Sequence, residues 1–292
     1  MKHQLIGFSC IALMLGGCGG SDSSSKPRSS SSMAMSSMMV TSSSPTAMSS
    51  SLAMASSEMA SSEMASSGMA SSEMGSSSMA AVMTEQKYSI TVTNLTSGQP
   101  FSPLAYSFHY SGFSPFTIGM PATIGLEKIA ESGAADDFIS EARSNSNVVI
   151  ANHATGLTLP GETKMLSVAL SIDMAKSDQL LFSLVNMLGN TNDAFAGVDS
   201  VVVGGLAIGE NLTLNAMSYD AGTELNTESA ATIPGPAGGG EGLNVLRDDI
   251  ADQVTMHPGA VTHDDGKIDS TLTQIHRWDN PVARITITRL AP

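Results

Sequence analysis

Residues 56–80 read SSEMA SSEMA SSGMA SSEMG SSSMA, a five-residue repeat. This period sustains neither the 3.6-residue spacing of an amphipathic helix nor the alternation of a strand, so no continuous apolar face can form. Serine, methionine and alanine dominate the whole of 18–84, and the stretch contains no aromatic residue. A chain of that composition cannot bury enough apolar surface to offset its conformational entropy. It is expected to be a disordered tether, with an r.m.s. reach on the order of 40–50 Å. Folding is therefore confined to residues 85–292, enough chain for one domain with its own core.

The N-terminus assigns an address. After Lys2, residues 5–15 form an apolar run that is long enough for an export signal and too short for a permanent membrane span. The run ends in Leu15-Gly16-Gly17-Cys18, which resembles a bacterial lipobox. That resemblance implies a lipoprotein signal peptide over 1–17, cleavage before Cys18, and lipid on the Cys18 sulfur as the link to a membrane. Gly19 stands where lipoproteins retained at an inner membrane carry aspartate, which points to the outer membrane or cell surface, with the periplasmic face left open. Only two cysteines are present, Cys10 in the signal and Cys18 at the lipidation site, so the mature domain is expected to have no disulfide.

Within 85–292 the dominant signal is period-two alternation in short segments bounded by Gly, Pro, Asn and Asp. KYSITVTNL opens the domain and VARITITRL closes it; NVVIANH, KMLSVALSI, LLFSLVNML, VDSVVVGG and ENLTLNAM lie between. One helical stretch, over 125–142, interrupts them. The pattern predicts an all-β fold, an antiparallel β-sandwich with a short helical insertion at one edge.

Charge and motifs narrow the function. The chain carries 27 acidic and 13 basic side chains, a formal net charge of −14, which repels phosphates and excludes nucleic acid as a partner. No G-x-S-x-G elbow and no free cysteine nucleophile are present, so a non-enzymatic role is expected. The glycine-rich GPAGGGEG lacks the strand and helix of a phosphate loop. YDAGTE holds Asp220 and Glu224 about a glycine; the two carboxylates repel each other unless solvent or a cation intervenes. By themselves the residues leave an exposed turn and a metal site equally open.

The order PFSP, TNDAFAGVDS, YDAGTELN, TIPGP and NPVARITITRL resembles the spondin N-terminal domain in its bacterial secreted form, over 87–290. The resemblance implies a C2-like sandwich with a calcium ion among loops at one end, and a role in adhesion outside the cell. It places the ion between the loops NTNDAF and YDAGTE, with Asp193, Asp220 and Glu224 as ligands and Asp199 and Thr223 as secondary ones; calcium takes hard oxygens from flexible loops. Two departures stand out. Asp193 is followed by Ala194-Phe195 where animal members carry tryptophan, and Glu224 stands where they carry a second aspartate. His109, His257 and His263 form a weaker constellation around HPG.

The reading is a lipid-anchored adhesion module binding an extracellular protein or polysaccharide through calcium-organised loops. Two alternatives stand beside it: an envelope protein with a purely stabilising metal, and a copper-binding lipoprotein using the soft thioethers of its methionine-rich tether. The anchor is testable directly. Cys18→Ser should move the protein from the membrane fraction to the soluble fraction on fractionation; retention on the membrane would refute lipidation at this residue.

Overall fold

The computed structural model describes residues 81–292. The expected export signal, Cys18 and the methionine-rich repeat lie outside them. The expected antiparallel β-sandwich is present. Its strands are β1 (Met83–Asn94), β2 (Ala105–His109), β3 (Val148–His153), β4 (Thr163–Asp173), β5 (Leu181–Met187), β6 (Ala194–Val202), β7 (Asn211–Asp220), β8 (Thr255–Met256) and β9 (Ala283–Leu290). The first strand begins two residues before 85, because Met83 and Thr84 already pair with Asp173 and Ile172.

Hydrogen-bonded order runs β3-β2-β5-β6-β7-β9-β1-β4, with β8 paired to β7. Every pairing is antiparallel. β7 belongs to both layers: Asn211 to Ala216 pair with β9, and Met217 to Asp220 pair with β6. One strand thus joins the layers at one side. On the other side the edge strands β3 and β4 approach each other, and Lys164 at the start of β4 donates to the carbonyls of Gly156 and Leu157 at 2.9 and 3.1 Å. A charged edge of this kind discourages pairing with a foreign strand.

Alternation sorts the residues as the sequence predicts. Tyr88, Ile90 and Val92 of β1, Val168, Leu170 and Ile172 of β4, and Ile285 and Ile287 of β9 point into one core. Phe108 and Phe182 meet them from the other layer, with Phe108 5.1 Å from the Tyr88 ring and 5.2 Å from Phe182.

β5 is buried along nearly its whole length because its outer face is covered too. Here the structure departs from expectation. The single helix over 125–142 is two, α1 (Ile124–Ser132) and α2 (Asp136–Ser144), and they lie on the face of the β5 layer instead of at its edge. The break is Gly133, at φ +71°, whose N–H closes α1 onto Ile129 O; a left-handed residue ends a helix readily when it has no Cβ. Leu126, Ile129, Phe138 and Ile139 pack on Ala105, Ala151, Val185 and Phe195 as a second core. A strand covered on both faces reads as a continuous apolar run, which is why LLFSLVNML shows little alternation. β2, with all five residues buried, and the two-residue β8 escape detection for the same want of pattern.

Phe182 is fully buried at the centre of the first core. Phe182→Ala should cost about 3–5 kcal/mol through lost contact and the cavity left behind. A denaturant midpoint unchanged from wild type would show that the two layers do not pack there.

Candidate functional site

Topology brings the two acidic loops together. Asp193 immediately precedes β6 and Asp220 ends β7; Ala194 is the register partner of Asp220. YDAGTE therefore leaves β7 beside the start of β6, at the end of the sandwich opposite Met83. Its turn depends on Gly222, at φ +69°, where a Cβ would stand 2.4 Å from the Gln253 carbonyl oxygen, so both the conformation and the close approach require glycine.

Asp193 is fully buried. Its Oδ2 accepts the N–H groups of Thr223 at 2.8 Å and Glu224 at 3.1 Å, with the Thr223 hydroxyl at 3.3 Å. Its Oδ1 is buried without a partner. Asp220 Oδ1 accepts the Gly222 N–H at 2.8 Å, and its Oδ2 accepts from the Asn226 amide at 2.6 Å. Glu224 Oε1 accepts from Asn192 at 3.2 Å. Four of the five residues expected at the site, Asp193, Asp220, Thr223 and Glu224, are thus drawn into one buried region.

Asp199 lies elsewhere, six residues along β6. There it accepts from Ser114, Ser183 and Ser200 at 2.8, 3.0 and 2.9 Å. Ser183 also stands 2.8 Å from His109 Nε2, and His109 Nδ1 lies 2.9 Å from the Tyr110 carbonyl oxygen. Both His109 and Ser183 are buried, and through them this cluster ties β2, β5 and β6 together.

The histidines do not assemble. His109 is at the far end of the sheet, and His263 is exposed beside Asp264. His257 alone joins the acidic region, its buried Nε2 without a hydrogen bond and 4.0 Å from Asp220 Oδ2. Among the described residues no three carboxylate, imidazole or thiolate groups stand ready-made as a metal-ligating set.

Several participants carried no signal by themselves. Glu131 on α1 is fully buried, accepts from Asn244 N–H at 2.8 Å through Oε2, and leaves Oε1 without a partner. Glu131 lies off the stripe formed by Leu126, Ile129 and Ala130, so the helical pattern gives no sign of its burial. Asn192 ties the loops: its Oδ1 accepts the Glu228 N–H at 3.1 Å, and its amide donates to Thr232 at 2.7 Å. Glu228 itself holds φ +50°, a left-handed backbone sustained by Asn192, by the Val261 N–H at 3.1 Å and by an ion pair with Lys267.

Electrostatics at this end are one-sided. The cations nearby are already committed, Arg247 to Glu127 and Asp252, and Lys267 to Glu228. Burial, reinforced by the Asp220 charge, pushes Asp193 up to about 8. Burial, with Glu131, Asp248 and Glu241 adding to it, pushes Glu224 up to about 7. Burial raises Glu131 and pushes His257 down to about 4, against the pull of Asp220. Such an arrangement is costly while it lacks a counter-charge.

The chemistry of these groups fits a hard cation. Asp193, Asp220, Glu224 and the Thr223 hydroxyl offer oxygen donors alone, and the orphaned Asp193 Oδ1 lacks the partner that a buried carboxylate requires. An ion held by these residues would supply charge compensation and would tie the 221–224 turn to the start of β6.

An antiparallel sandwich whose acidic loops converge at one end defines the class of protein. The Spondin_N family profile matches residues 86–234, just over half of the chain, and the chain belongs to that family. Membership is consistent with an extracellular, adhesion-type module. Comparison with curated protein sequences gives no match. The matched span holds both acidic loops and stops short of β8 and β9. Residues 235–292 nevertheless complete the same sandwich, since β9 is hydrogen-bonded between β7 and β1.

The shifts predict a pH dependence for the metal-free protein. Asp193 and Glu224 hold protons more tightly folded than unfolded, so their stabilisation is full below about pH 4 and is lost as pH rises through 7 to 8. His257, depressed from 6.5, acts with opposite sign between about pH 4 and 6.5. Above pH 6.5 the carboxylates act unopposed. In chelator the melting temperature should therefore fall from pH 6.5 to 8, and Asp193→Asn, which keeps an acceptor for Thr223 and Glu224, should flatten that slope. A wild-type profile that rises or stays level over this window would refute the buried-carboxylate assignment.

Proposed function

We propose that this protein is a lipid-anchored binding module of the cell envelope, held at the outer membrane or cell surface through Cys18, with its distal loops organised by calcium. The observation that carries the metal is Asp193: a fully buried carboxylate with one oxygen unpartnered, among acidic neighbours and beyond the reach of any lysine or arginine of the described residues. Asp220, Glu224 and Thr223 complete the donor set. Asp199 is left out of it by its own serine network.

The path of the chain supports an outward-facing role. β1 begins at Met83, at the end of the sandwich away from Asp193 and Asp220, so a tether arriving there leaves the acidic loops farthest from the anchor. An extracellular protein or polysaccharide is the partner in this reading, and the role is recognition and not catalysis. The deep burial of Asp193 favours one element of the alternative reading: the ion acts as a strut for the loops and does not itself touch a ligand.

Saturating calcium should raise the stability of the full chain by about 2–4 kcal/mol when it exceeds the Kd by about 100–1,000-fold, and chelator should reverse the gain. Asp193→Asn should abolish the increment while leaving the metal-free protein folded. Beads coated with the full chain should adhere to protein- or polysaccharide-coated surfaces in calcium and detach in chelator. Identical melting of the wild type in calcium and in chelator would sink the metal. Melting that responds to calcium without adhesion to either surface would instead leave a structural envelope protein.

A further inference from the structure

A cleft of about 410 Å³ opens between the segment after β1 and the segment before β9, lined by Leu95, Thr96, Ser97, Gln274, Arg277, Trp278 and Asp279. We propose that this cleft binds a hexopyranose unit of a glycan, with the Trp278 indole as the stacking wall and Gln274, Asp279 and Ser97 as hydroxyl partners. The inference rests on the reading of the domain as an outward-facing binding module and narrows its partner to carbohydrate.

The first argument is rigidity. Trp278 is half-buried, its Nε1 donates to Ser218 Oγ at 3.0 Å, and its ring packs 5.1 Å from His257. Ser218 is itself held by Asn280, whose Oδ1 accepts the Ser218 N–H at 2.7 Å. The two walls are also fastened to each other: Gln99 donates to the His276 carbonyl at 2.9 Å, and Gly98 lies so close to Ile275 that a Cβ would stand 2.4 Å from its carbonyl oxygen. Binding there would order little that is not already ordered.

The second argument is the lining. Arg277 donates to Asp265 at 2.7 Å, and the Gln274 backbone N–H donates to Asp264 at 2.9 Å. The Gln274 amide, the Asp279 carboxylate and the Ser97 hydroxyl have no hydrogen-bond partner among the described residues. Amide, carboxylate and hydroxyl together both donate and accept, as vicinal sugar hydroxyls require, and the indole face accommodates the C–H side of a pyranose ring. A phosphate would meet Asp279 and a net acidic surface. An apolar ligand would find too few apolar walls. The volume falls within the roughly 300–1,000 Å³ of small-ligand clefts. His257 bridges the cleft to the acidic loops, touching Trp278 on one side and lying 4.0 Å from Asp220 on the other.

Trp278 is the sole tryptophan of the chain, so its emission reports on the wall of the cleft. The full chain, in a polyoxyethylene detergent without a sugar headgroup, is screened on an array of hexopyranose-terminated oligosaccharides, and the best binder is titrated against the Trp278 emission. The expected result is saturable binding with a shift in that emission, weakened about tenfold or more in both Gln274→Ala and Asp279→Ala. Both positions are solvent-exposed, so neither substitution threatens folding. No bound oligosaccharide overturns the proposal, and adhesion of coated beads to protein surfaces would then still uphold the module reading. Array binding that survives both substitutions and leaves the Trp278 emission unchanged also overturns it, by moving the glycan to another surface.

Discussion

β7 is the constraint on which the rest of this domain depends. Its first six residues pair with β9 in one layer, and its last four pair with β6 in the other. A strand shared in this way holds the two layers in fixed relation along one side, so the aromatic contacts of Tyr88, Phe108 and Phe182 can close the space between them. Because the handover falls at its C-terminal end, β7 also delivers Asp220 to the side of Asp193. The position of the acidic site is thus a consequence of how the sandwich is closed.

The site joins a stability problem to a functional opportunity. Folding carries Asp193, Glu131 and Asp220 into an environment where charge is poorly solvated, while the neighbouring arginine and lysine are paired with other acids. Backbone N–H groups of Thr223 and Glu224 stabilise one oxygen of Asp193 and leave the other bare. Groups in this state favour either a proton or a cation, and the two compete for the same oxygens. In the proposed function an ion at these oxygens relieves that cost and fixes the conformation of the loops. The adjoining cleft at Trp278 shares His257 with that region, so ordering of the acidic loops bears directly on the wall of the cleft.

Much of this was legible from residues. Alternation in KYSITVTNL and VARITITRL places Ile90 and Ile285 inward because the side-chain period of a strand is two. The order of the motifs TNDAFAGVDS and YDAGTELN points to Asp193, Asp220 and Glu224 together. Asp199, a secondary candidate in the same motif as Asp193, is carried away by strand geometry, since six residues of β6 span about 20 Å. The break at Gly133 was visible as a glycine but not as two helices, because a 3.6-residue pattern over 125–142 continues through it.

By itself, then, the sequence determined the strands with one solvated face and the pair of acidic loops, because these follow from local period and composition. Tertiary structure alone decided which layer each strand joins, that α1 and α2 cover β5, and that Glu131, Asn192 and His257 enter the acidic region. Those outcomes rest on contacts between residues far apart in the chain, such as Asn192 with Glu228 and Trp278 with Ser218. Local pattern records whether a residue is buried; only the closure of the sandwich determines what it is buried against.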